Sequence, residues 1–155
     1  MSLAIEKLLV PATGYPAHPA VEQEADRKLN ISVVFTSVES TLAALKEAGA
    51  LASSLGARIT LVVPQVVPFP LPLESPPVLV EFNERRFRVM ASQSPVETKV
   101  QIYLCRDALQ TLTSVLRPGS IVFLCGRKRW WPTREMKLAR QLRRAGHEVV
   151  FKEME

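Results

Sequence analysis

The sequence predicts a doubly wound α/β domain: a parallel sheet covered by helices on both faces. Two observations carry this. Five short apolar runs rich in β-branched residues recur between Ile31 and Phe151, and four segments of helical spacing alternate with them. Alternation of this kind implies crossover connections and parallel strands, with right-handed crossovers restricting the topology. The length of 155 residues suits one domain. Hydrophobic residues make up 47% of the chain but aromatics only 6%, so Val, Leu, Ile and Ala must fill most of the core.

Residues 1–30 read as an N-terminal arm lying on the domain or on a partner subunit, with a plain disordered tail as the alternative, and residues 31–155 as the domain itself. Pro11-Ala12-Thr13-Gly14-Tyr15-Pro16 rules out regular structure locally, and Ala20 to Leu29 could form two or three helical turns. Ile31 to Thr36 is β-branched and apolar, as a buried central strand should be. Helical spacing follows from Glu39 to Leu55, with Leu42, Leu45, Ala48, Ala52 and Leu55 on one side, Ser40 as its cap and Gly56 as its stop. Arg58 to Val67 is the second strand.

A proline cluster, Pro64, Pro68, Pro70, Pro72, Pro76 and Pro77, ends that strand in a stiff extended loop. Its interleaved apolar residues suggest packing onto the domain, with a proline-rich docking segment as the alternative. Val78 to Ala91 reads as the second helix, with Leu79, Phe82, Phe87 and Met90 inward. Val96 to Cys105 is the third strand. Asp107 caps a short helix that carries Leu109, Leu112 and Leu116, closed by Arg117-Pro118-Gly119. Ser120 to Cys125 is the fourth strand. Thr133 to Ala145 is the last helix, with Met136, Leu138, Ala139 and Leu142 inward and Gly146 as its stop. His147 to Lys152 supplies the fifth strand.

Several function classes find no support. No apolar run approaches the ~20 residues needed to span a membrane. Leu8 to Val10 is too short for a signal peptide, so the expected compartment is the cytoplasm. Cys105 and Cys125 end apolar runs and read as small buried hydrophobes, and the two histidines, His18 and His147, offer no metal-binding pattern. Neither histidine has a catalytic motif around it, so the expectation is a non-catalytic protein with no cofactor and no metal. The net charge of +5 is concentrated locally: Arg127, Lys128, Arg129, Arg134, Lys137, Arg140, Arg143 and Arg144 are opposed within their segment only by Glu135. A local excess of that size can mark an anionic partner.

Val33-Val34-Phe35-Thr36-Ser37, then Leu51-Ala52-Ser53-Ser54-Leu55-Gly56-Ala57, then Ile59-Thr60-Leu61-Val62-Val63 resemble the universal stress protein family over about Ile31 to Phe151. That resemblance implies a five-stranded sheet in the order 3-2-1-4-5, of the adenine-nucleotide alpha-hydrolase-like type, and a homodimer that pairs the last strand with its copy. With this order, Cys105 and Cys125 lie three strand spacings apart, roughly 14 Å, beyond the ~7 Å a disulfide tolerates between Cα atoms.

ATP-binding members of that family have an acidic residue at the end of the first strand; here the chain reads Thr36-Ser37-Val38. They also have a glycine motif after the fourth strand. Gly126 matches its first glycine, but Arg129, Ala139 and Arg140 stand at the remaining positions. Glycines let backbone amides approach a phosphate, and Arg129 with Trp130-Trp131 would fill that space.

The loop from Gly126 to Thr133 falls at the switch point of the implied order, where ligands of such sheets bind. The candidate ligand-binding residues are therefore Thr36, Ser37, Val38, Gly126, Arg127, Lys128, Arg129 and Thr133. The first expectation is a stress-protein-like regulatory or binding protein that does not hold ATP in the family's usual mode. In it, the loop is a solvated basic segment whose tryptophans pack under the sheet edge or at a dimer contact. The second is a nucleotide or anion binder, with Arg127, Lys128 and Arg129 beside the N-terminus of the last helix. The least favoured is a nucleic-acid-binding protein that stacks bases on the tryptophans.

Overall fold

The computed structural model describes residues 5–9, 29–73 and 80–155. Its elements are β1 (Ile5–Leu9), β2 (Asn30–Val34), α1 (Val38–Leu55), β3 (Arg58–Val66), α2 (Val80–Ser92), β4 (Thr98–Cys105), α3 (Ala108–Val115), β5 (Ile121–Arg127), α4 (Arg134–Arg144) and β6 (Glu148–Met154). The strands form one sheet in the order β1-β4-β3-β2-β5-β6, and every described pairing is parallel. Counted from β2, this is the expected order 3-2-1-4-5. β1 extends it by one edge strand, pairing Ile5 with Val100 and Leu9 with Leu104. The sequence reading had no sixth strand, because Glu6-Lys7 interrupts the apolar pattern and Pro11 follows closely.

The sheet is buried on both faces, which is why its central strands carry continuous rather than alternating apolar runs. On one face α1 and α2 bring Ala44, Leu45, Ala48, Ala52, Phe87 and Met90 against Ile31, Val33, Ile59, Leu61 and Val100. On the other, α3 and α4 bring Leu112, Leu116, Ala139 and Leu142 against Val34, Val62, Val122 and Leu124. Cys105 and Cys125 are buried free thiols, each pushed up in pKa by that burial. Among the described residues no helix is long and apolar enough to cross a membrane.

Several local expectations are corrected. Ser37, not Ser40, caps α1: its Oγ accepts from the Ser40 backbone N–H at 3.3 Å, and Ser40 itself is buried one turn in. Leu55 is half exposed, because it sits at the last turn where the helix leaves the sheet. Phe82 is exposed rather than inward; Phe87 and Met90 carry the packing of α2. The second strand, by contrast, runs through Pro64 as expected, from Arg58 to Val66. Past Val62 the strand keeps only β4 as neighbour, an edge-like position that tolerates a missing N–H, and pairing runs on to Val66. Leu79, Pro76, Pro77 and the stretch from Ala20 to Lys28 lie outside the described residues. Over Val67 to Leu71 the proline loop is tied to the domain by Arg106, which donates to the carbonyls of Val67 (2.8 Å) and Leu71 (2.6 Å) and lies over the Phe69 ring.

Candidate functional site

The chain steps outward from β2 to β3 and β4, then reverses to place β5 on the other side of β2. The carboxyl ends of β2 and β5 thus diverge into two helix N-termini, α1 and α4. Between them lies an open cleft of about 690 Å³, lined by Ser37, Val38, Glu39, Ser40, Arg127, Arg129, Trp131, Pro132, Thr133, Arg134 and Glu135. The switch point therefore lies between β2 and β5, and five of the eight candidate residues, Ser37, Val38, Arg127, Arg129 and Thr133, line the cleft there.

The eight do not all face the cleft. Thr36 is structural: its hydroxyl donates to the Cys125 carbonyl at 3.1 Å and its N–H to Thr41 Oγ1 at 3.2 Å, stitching the end of β2 to β5 and to α1. Gly126 lies beneath the wall. A Cβ there would stand 3.0 Å from Phe151 Cζ and 3.1 Å from Glu135 Cβ, so any larger residue would need both neighbours to give by a few tenths of an ångström. Lys128 starts the loop, anchored by its N–H to the Met154 carbonyl at 2.8 Å. Ser37, Val38, Arg127, Arg129 and Thr133 form wall. Ser37 and Thr133 each spend their side-chain oxygen on a cap, Thr133 accepting from the Met136 N–H at 3.2 Å.

Two carboxylates that sequence reasoning gave no role complete the cleft. Glu39 sits in the first turn of α1 and Glu135 in the first turn of α4. A helix N-terminus attracts negative charge, and here each already holds a side chain that supplies it. The signal was present in the sequence as an acidic residue two positions beyond each cap. Glu39 also reaches across the cleft to accept from the Arg127 guanidinium, and this bond raises the Arg127 pKa. One of the three loop cations is thus bound to the chain's own carboxylate.

The tryptophans correct one branch of the packed reading, that they lie under the sheet edge. Within the protomer Trp130 is fully exposed and Trp131 is 81% exposed. Neither packs under the sheet edge.

His147 lies at the other end of the sheet. It is buried, with Nδ1 3.4 Å from Ser120 Oγ, and joins the starts of β5 and β6. Among the described residues, no group of three or more His, Cys, Asp or Glu side chains could hold a metal ion. No family model and no curated protein matches the chain.

Proposed function

We propose that the chain is a non-catalytic, universal-stress-protein-like regulatory or binding protein whose switch-point cleft does not take ATP in that family's usual mode. One observation carries this reading: the Arg127–Glu39 bridge spans the cleft at the place where a phosphate would meet the helix N-termini. The packing around Gly126 supports it. The single residue that matches the glycine motif is covered by Phe151 and Glu135 rather than open to a ligand. The same reading includes a homodimer formed through β6, which ends the sheet and leaves Val150 40% exposed.

Thermal denaturation with ATP, AMP and cyclic nucleotides tests the cleft. A ligand that binds the native state raises its Tm, by an amount set by ligand concentration over Kd. The expected result is no shift at millimolar nucleotide. A shift that grows with nucleotide concentration and disappears in Arg129→Ala would replace this reading with that of an anion or nucleotide binder.

A further inference from the structure

Beside the cleft, and sharing Arg129, Trp131 and Arg134 with its wall, α4 and the loop before it form a second surface. The inner side of α4 is buried through Ala139 and Leu142. Its outer side carries Arg134, Lys137, Arg140 and Arg144, all exposed. Their spacing of three, three and four residues stacks them along one side of the helix. Ten residues at 1.5 Å each make a rail of about 15 Å. The described ion pairs join Arg58 to Glu97, Arg127 to Glu39 and Lys152 to Glu47, so no rail cation is neutralised by one. Lys128 and Arg129 extend the positive charge into the loop, and beside them the two exposed tryptophans offer large apolar π-faces.

A row of uncompensated cations one residue wide matches a linear polyanion, and flat aromatic faces at its end match planar groups carried by that polyanion. Single-stranded nucleic acid has both properties, with phosphates for the rail and unstacked bases for the indoles. A bilayer fits less well. The rail side of α4 presents no apolar residue to insert, and the tryptophans stand at only one end of it. From this surface we propose that the loop 128–132 and the outer side of α4 form a binding site for single-stranded nucleic acid, with Trp130 and Trp131 as stacking platforms. The rail from Lys137 to Arg144 stands apart from the cleft, whereas Arg129, Trp131 and Arg134 also line it, so the loop end of this surface adjoins the cleft.

Trp130 and Trp131 are the only tryptophans in the chain, so intrinsic emission reports on this site alone. The experiment titrates the full-length protein with a dT12 oligonucleotide at low salt, following tryptophan quenching and, in parallel, anisotropy of a labelled oligonucleotide. Saturable quenching is expected. If three to four phosphates are contacted, raising salt from 50 to 200 mM should weaken binding roughly 20- to 50-fold. Trp130→Ala should cost at least about fivefold by anisotropy. Arg140→Glu with Arg144→Glu should weaken binding further, whereas Lys46→Glu, on α1 across the sheet, should leave it unchanged. A dT12 duplexed with dA12 should bind more weakly than the single strand.

Four results overturn the proposal. One is the absence of quenching at low salt. Another is an affinity indifferent to Trp130→Ala, which would mean polyanion capture without stacking. The others are an emission blue shift with phosphatidylglycerol vesicles without any change in anisotropy of the labelled oligonucleotide, and a blue shift that grows with protein concentration alone, which would assign the tryptophans to self-association.

Discussion

Gly126 illustrates how one residue can satisfy a motif for an unrelated reason. In the sequence it stands at the first glycine of a phosphate-binding pattern. In the structure the missing Cβ leaves room for the Phe151 ring and the Glu135 side chain, at 3.0 and 3.1 Å from where it would be. A branched side chain at this position would press on the Phe151 ring and on the base of the Glu135 side chain. Gly126→Val should therefore cost about 1–3 kcal/mol, seen in urea denaturation as a lower midpoint at an unchanged m value. Shortening the ring with Phe151→Val should recover part of that loss, since the two positions share one contact and their effects should not add. A Gly126→Val protein as stable as wild type would show that the position is open, and the phosphate reading of Gly126 would regain its force. The tryptophans failed to be legible for a related reason. An apolar side chain in sequence is read as buried, but burial requires an element to cover it. The loop 128–132 lies beyond the end of β5, where no described element does so.

At the scale of elements, period and punctuation were legible and neighbours were not. The four helices and five of the six strands stand where apolar spacing and glycine stops put them; Gly56 and Gly146 both adopt positive φ, 64° and 96°, at helix ends. What periodicity cannot specify is which of two serines three residues apart lies outside the first turn. Ser37 holds extended backbone (φ −136°, ψ 166°) and caps α1, so the helix begins a residue earlier than its apolar pattern suggests. Ser37→Ala should cost about 0.5–2 kcal/mol, measured by chemical denaturation. Ser40→Ala leaves the cap bond in place, because Ser40 contributes only its backbone N–H to it. Equal losses of helix stability at both positions would refute this assignment. β1 was illegible on other grounds. Its partner β4 supplies the pairing, and five residues interrupted by Glu6-Lys7 do not announce a strand by themselves.

For the whole molecule the open question is how the sheet ends. Among the described residues β6 pairs with β5 on one side only, and an unpaired edge is a template for another strand. Lys152 on β6 pairs with Glu47 of α1, which lowers the Glu47 pKa and fixes the strand against the helix. A two-fold axis brings two copies of one edge together antiparallel, so some residue faces its own copy. Centring that axis on Val150 sets Val150 against Val150 and Glu148 against Lys152 of the other copy. This register covers the exposed Val150 and brings opposite charges together. In sedimentation equilibrium the protein should then have twice the 17.3 kDa chain mass. Val150→Lys places like charges opposite each other at the axis and should return the protein to the chain mass with its circular dichroism unchanged. Glu148→Lys should weaken the dimer in the same direction, and pairing it with Lys152→Glu should restore it. A wild-type protein that sediments as a monomer at tens of micromolar would remove the dimer from the proposed function. A dimer indifferent to Val150→Lys would move the interface off β6, and the exposed tryptophans would be the next surface to test.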